Sequence, residues 1–369
     1  MVSVSIGTAL FLIYILLSFS SIGGYPNERV LYALSDQQVN NNQSSISILN
    51  KKGLDLLSSG SYNEAITYFD KALAINSTDA TVLSNKGLAL MQLGKNGEAI
   101  TYFDKALAIE PNYATALDNK GYVLYSLGKY NESIGYYDKA LEIKPNYTNA
   151  LNNKGLALLS LGKYNESIGY YDKALEIKPN YTTALDNKAF TLYKLGRYND
   201  AIGYYDKSLT INQNNTDALN GKAHTLEGLG KYNDAIGYFD KALAIDPNSA
   251  TTLDNKASTL QRLGNNSGAI IYFDKSLAID ANNTKALNGK GTVFLALAKY
   301  NDAIGYFDKA LAINANDTEP LNNKGVALTK LGKYYEAIKY YDKALAIDPN
   351  DATTLDNKNK TLNLLSNQK

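Results

Sequence analysis

The stretch Leu151–Asn180, LNNKGLALLSLGKYNESIGYYDKALEIKPN, recurs every 34 residues along the chain without insertions. Its small residue Gly155 returns as Gly53, Gly87, Gly121, Ala189, Ala223, Ala257, Gly291 and Gly325. Places within a repeat are numbered so that Gly53 stands at place 8. A fixed period of this length means a stack of repeats, each packed only on its neighbours. Nine full repeats span residues 46–351, and residues 352–369 repeat only the first half of one.

Each repeat reads as two helices. Leu151, Gly155, Leu158 and Leu159 fall on one helical face. Gly162, at place 15, breaks that pattern. Asn165 suits the cap of a second helix, with Glu166 at its positive end. Ile168, Tyr171, Ala174, Leu175 and Ile177 then point inward. Pro179-Asn180 stops the helix, and Thr182 suits the next cap. Small residues at places 8, 20 and 27, such as Gly121, Ser133 and Ala140, let the paired helices approach. The bulky residue at place 24 fills the space beside them.

The second repeat shows the whole pattern in Leu83, Gly87, Leu90, Ala99, Phe103, Ala106 and Pro111. This resembles the tetratricopeptide repeat, and the resemblance covers about five-sixths of the chain. It implies an all-α, right-handed superhelical solenoid of nine helix-turn-helix units plus a C-terminal capping helix. In that family the first helices line a concave groove through places 2, 5, 6, 9, 12 and 13. One departure is consistent: place 7 is Lys from Lys52 to Lys358, where the family has Leu. A lysine can bury its stem and keep its ammonium wet. An Asp at place 25, from Asp70 to Asp342, is expected to meet it between adjacent helices.

The repeat overrides the two or three domains that 369 residues suggest. With 37 basic and 36 acidic residues the net charge is +1, so no long-range attraction to nucleic acid is indicated. The absence of cysteine excludes disulfides and thiolate metal sites and is compatible with either redox compartment. His224, at place 9, is the only histidine, so no His pair holds a metal. It reads as a surface or contact residue. Asp280, Asn282 and Thr284 begin like a calcium loop, but Lys285 and Gly291 stand where Gly and Glu are needed. The chain therefore reads as non-enzymatic, with no cofactor.

The two ends differ from the repeats. Residues 2–24 carry no charge, and Ala9–Leu17 is continuously apolar. Residues 1–24 fit a signal peptide with small residues Ser21 and Gly23 before cleavage, or an N-terminal membrane anchor. Either places the repeats outside the cytoplasm, secreted or anchored, with membrane contact only through this segment. Residues 25–45, rich in Asn and Ser, read as a polar linker. In the half repeat 352–369, Leu355, Leu362 and Leu365 are expected to cover the last full repeat as a capping helix. Eleven Asn-x-Ser/Thr triplets run from Asn42 to Asn359, mostly in turns. They admit two readings: glycan attachment, or Asn suited to the turn and Thr to the helix cap.

Two features fall where the resemblance places the groove. Place 6 is Asn at Asn85, Asn119, Asn153, Asn187, Asn255, Asn323 and Asn357, with breaks at Gly221 and Gly289. A carboxamide offers one donor face and one acceptor face to a peptide backbone. This is similar to the asparagine ladder in the repeats of O-linked N-acetylglucosamine transferases. The alternative is that these residues are solvated or bonded within their own helix. Places 9 and 12 form an apolar, aromatic stripe of Leu88, Met91, Tyr122, Tyr125, Leu156, Leu159, Phe190 and Tyr193. In repeats six and seven the same places become His224, Glu227, Ser258 and Gln261. These features point to a protein- or peptide-binding scaffold. The alternatives are a structural or assembly component of the cell surface or a membrane complex, and a targeting subunit for a separate enzyme such as a glycosyltransferase.

Overall fold

The computed structural model describes residues 28–367, with side chains from residue 38 onward, and all regular structure in that range is α-helical. Two compact bodies divide the chain, residues up to 157 and residues from 158, with the division inside the helix Thr148–Ser160. Within each body, the two helices of a repeat pack on each other. The second helix also packs on the first helix of the next repeat. The third repeat illustrates the pair, Ala114–Ser126 followed by Tyr130–Ile143.

Burial follows the repeat. In the first repeat Ala65, Phe69 and Ala72, at places 20, 24 and 27, are wholly buried. The ring at place 24 explains the glycine at place 8. A Cβ on Gly53, Gly121 or Gly325 would stand 2.4, 2.6 or 2.5 Å from Phe69, Tyr137 or Tyr341, closer than packed carbons approach. Repeats five and seven have Ala189 and Ala257 at that place. Their rings, Tyr205 and Phe273, instead abut Gly221 and Gly289 at place 6 of the following repeat. The breaks in the asparagine ladder are therefore the space these two rings use.

From Lys86 on, the lysines at place 7 and the aspartates at place 25 meet, each Lys with the Asp of the preceding repeat. Lys86–Asp70 and Lys358–Asp342 are 2.5 and 2.6 Å apart, and seven further pairs, Lys188–Asp172 among them, repeat the contact. The ammonium also reaches the tyrosine at place 23 of its own repeat. Lys188 donates to the Tyr204 hydroxyl at 2.6 Å and lies 4.1 Å from the ring centroid. The lysines of repeats two, three and five to nine are thus not stems with wet tips: one carboxylate and one ring hold each charge.

Four expectations about local structure change. The first helix runs unbroken over Glu28–Ser58, so the segment read as a linker is helical from residue 28. No Gly or Pro interrupts the sequence between Pro26 and Gly53, and asparagine alone weakens a helix without ending it. Asn165 lies inside the helix Tyr164–Ile177, which starts after Lys163. Thr182 is likewise the first helical residue, behind Tyr181. On the terminal helix Ala352–Ser366, Thr354 and Thr361 are the buried residues, while Leu355 and Leu362 are each 40% exposed. Those leucines occupy places 4 and 11, which in a full repeat pack on the repeat's own second helix. The apolar segment 2–24 lies outside the described residues. Among the described residues no helix is long and apolar enough to cross a membrane.

Candidate functional site

The first helices carry the ladder, and bonds across four repeat boundaries organise it. Asn85 donates to Asn50 at 2.9 Å, Asn153 to Asp118 at 3.0 Å, Asn323 to Asn288 at 3.1 Å and Asn357 to Asn322 at 3.0 Å. In every case the carboxamide at place 6 meets the polar residue at place 5 of the repeat before. Each of these bonds uses one of the two N–H groups of the amide. Asn119 and Asn187 are half-buried on the same face. The sequence does not announce this bond from place 6, because place 5 varies among Ser, Asn and Asp and shows no single motif.

The glycine breaks leave a mark on place 5. Asp186 and Asp254 are the residues that Gly221 and Gly289 would have faced. Each gives one oxygen to an asparagine at the next helix start, Asn215 at 2.7 Å and Asn283 at 2.8 Å. The other oxygen of each is buried without a hydrogen-bond partner. Burial raises the Asp186 carboxyl above the ordinary value, against the hydrogen bonds of Ser208 and Asn215. Asp118 is only 4% exposed, and burial pushes it up to about 6 despite hydrogen bonds from Asn153 and Tyr147.

The aromatic stripe forms separate clusters. In the body up to residue 157, Tyr122 packs on Tyr125 with ring centroids 6.3 Å apart, and Tyr125 on Tyr130 at 5.4 Å. In the body from residue 158, Phe190, Tyr193 and Tyr198 repeat the arrangement at 6.2 and 5.7 Å. Tyr122 and Phe190 remain 42% and 41% exposed. Tyr130 and Tyr198, at place 17, complete the clusters and were hidden by their own regularity, since most repeats carry Tyr there. Leu88, Met91, Leu156 and Leu159 are half-buried, and Met91 packs against the core around Phe103.

Repeats six to eight carry a polar chain instead. Lys285 donates to the Asn255 oxygen at 2.9 Å, and the Asn255 nitrogen meets His224 Nε2 at 3.0 Å. His224 Nδ1 meets Glu227 at 2.8 Å, and Thr259 donates to the other Glu227 oxygen at 2.7 Å. With Nδ1 protonated and Nε2 neutral, every contact pairs a donor with an acceptor. Burial works to raise the Glu227 carboxyl. The bonds from His224 and Thr259, with the charge of Arg262, hold it below its ordinary value. His224 is thus a hub between repeats. Its ring also lies edge-on to Phe239, with centroids 5.4 Å apart.

Tetratricopeptide repeat patterns match residues 78–146, 112–180, 146–214, 180–248, 215–282 and 319–351, and a TPR repeat pattern matches residues 53–94. More than half of the chain is matched, and the chain belongs to the tetratricopeptide repeat family. Solved structures of other repeat proteins are similar. PilF of Pseudomonas aeruginosa is 23% identical with a TM-score of 0.50, over 57% of this chain and 95% of its own. A tetratricopeptide repeat protein of Parabacteroides merdae is 19% identical with a TM-score of 0.55, over 68% of this chain and 99% of its own. PilW, described as a widely conserved type IV pilus biogenesis factor, is 25% identical with a TM-score of 0.52, over 55% of this chain and 94% of its own. No curated protein matches the chain.

Proposed function

We propose that this chain is a non-enzymatic scaffold that binds extended segments of protein on the face of its first helices, outside the cytoplasm. The observation that carries the reading is the exposure of Tyr122 and Phe190 at the head of two ring clusters. Large rings held rigidly by neighbours and left in water are the side chains that dominate binding energy at interfaces. The ladder supports them. Asn85, Asn153 and Asn323 are oriented by their bonds to place 5 and keep one N–H for a peptide plane, with a second lone pair on the oxygens of Asn153 and Asn323, which already accept from Asn152 and Asn322 at 3.4 and 3.5 Å. A pre-oriented amide loses less freedom on binding. Delivery by residues 2–24, by secretion or by anchoring, is part of the same proposal.

Selection of a random-peptide display library on the whole protein tests the reading. The selected peptides are expected to bind the Tyr122→Ala/Phe190→Ala variant about tenfold or more weakly, with helicity unchanged. Equal affinity for both proteins would remove the first-helix face from the proposal.

A second reading, a structural or assembly component, draws on the second helices. Their last residue is an exposed isoleucine in repeat after repeat, from Ile75 to Ile347. The similarity to PilW is in keeping with it. Service as the targeting subunit of a separate enzyme would use the same first-helix face.

A further inference from the structure

We infer that five turn asparagines, Asn146, Asn180, Asn214, Asn282 and Asn316, are sites of N-linked glycosylation. All five stand at place 33, in the turn between one repeat and the next, and all are exposed. Each is followed two residues later by threonine: Thr148, Thr182, Thr216, Thr284 and Thr318. Three further turns carry an equally exposed asparagine at the same place, Asn112, Asn248 and Asn350, followed instead by Ala114, Ala250 and Ala352. The inference rests on delivery of the repeats outside the cytoplasm.

The helix-capping explanation of these triplets does not hold. Thr182, Thr216, Thr284 and Thr318 are each the first residue of a helix. The cap position before them belongs to Tyr181, Asn215, Asn283 and Asp317, and the last three accept the capping hydrogen bond themselves. Alanine starts the helix equally well in the three control turns. The asparagines are no better accounted for by the turn. None has the left-handed backbone that favours asparagine, since Ala298 is the only non-glycine residue with positive φ among the described residues. The side-chain bond that closes the turn comes from two residues earlier, as when Asn212, Asp280 and Asn314 accept from the backbone N–H of Asn214, Asn282 and Asn316. The five threonines thus do not cap their helices and the five carboxamides do not close their turns, yet they stand together in the spacing that glycan transfer requires.

The transfer needs a polyprenyl-phosphate-linked oligosaccharide and its transferase. The asparagine Nδ2 forms a bond to the sugar C1 as the bond from C1 to the phosphate oxygen breaks. The amide proton passes to the transferase, the polyprenyl phosphate leaves, and nothing is oxidised or reduced. Transfer requires a hydroxyl two residues after the asparagine, so alanine at that position makes no acceptor. A glycan at these turns would also stand three residues from Ile143, Ile177, Ile211, Ile279 and Ile313, the exposed ends of the second helices, and would shield them.

The test is peptide mass spectrometry on the full-length protein isolated from the cells that make it, after separating cytoplasmic from extracytoplasmic material. Sugar-bearing peptides are expected at the five Thr turns and bare ones at Asn112, Asn248 and Asn350. A Thr182→Ala variant should lose the sugar at Asn180 alone and keep its fold, since Ala114 and Ala250 serve in the same place. Bare peptides at all eight turns in extracytoplasmic protein would overturn the assignment while leaving delivery intact. Protein found only in the cytoplasm would overturn both, and equal modification of the Thr and Ala turns would show that the triplet is not what is read.

Discussion

The Tyr205 hydroxyl lies 2.5 Å from the point that a Cβ on Gly221 would occupy, across the boundary between repeats five and six. Ala189 has displaced the ring from its usual seat at place 8 of its own repeat, and Gly221 receives it. Gly221→Ala is therefore expected to lower stability by about 1–2 kcal/mol, even though alanine favours a helix. Adding Ala189→Gly should restore part of that loss by reopening the original seat. Urea unfolding of the two variants checks both statements. A Gly221→Ala protein as stable as the parent would show that the boundary has room to spare.

Asp118 gives the protein a pH dependence with a definite sign. Its folded value, raised by burial to about 6, exceeds the unfolded value of about 3.9. The folded state therefore holds the proton more tightly, and stability falls as pH rises from about 4 to about 6, by up to about 3 kcal/mol. Asp118→Asn keeps an acceptor for Asn153 and is expected to lack this decline and to be more stable at pH 7. Thermal melts across pH 4–7 decide it. The same slope in parent and variant would place the titration elsewhere.

The place-7 lysines act at the other end of the pH scale. Burial opposes the charge of Lys188, but the bonds to Asp172 and Tyr204 outweigh it and raise its value above 10.5. Stabilisation from such a group is present below the unfolded value and is lost as pH rises through the folded one. Six further lysines of this type, including Lys86 and Lys324, shift in the same direction. The protein should therefore lose stability steeply above about pH 10.5. At pH 7, Asp172→Asn should cost about 1 kcal/mol, since that carboxylate is half exposed and screened. A double-mutant cycle between Asp172 and Lys188 that finds no coupling would contradict the ion-pair reading.

Ala298 takes φ 58° at place 15, where Gly162, Gly196 and Gly332 have 73–75°. A side chain strains that conformation, so Ala298→Gly is expected to stabilise by about 1 kcal/mol. An unchanged unfolding midpoint would mean that the eighth repeat has relieved the strain through its neighbours.

The fold was legible because the period is exact enough to show which places are small, which bulky and which break the helix. Even the Lys154–Asp138 type of contact followed from two unvarying charges at fixed places. The candidate site was less legible, for a geometric reason. A repeat pattern describes one unit, whereas Asn153 to Asp118 and Asn255 to His224 join different units. The gaps at Gly221 and Gly289 look like lost ligand contacts in sequence and become packing accommodations only beside Tyr205 and Phe273. Helix starts were misjudged at Asn165 and Thr182 because capping residues at neighbouring places are interchangeable by type, and Tyr181 occupies the cap without bonding as one.

Binding through the first-helix face is tested most directly by photo-crosslinking in the cells that make the protein. A photoreactive phenylalanine analogue replaces Phe190 in one variant and the exposed second-helix residue Ile211 in another. Capture of the same partner from position 190, and not from position 211, is the predicted result. Capture from position 211 alone would contradict it and move the interaction to the second helices.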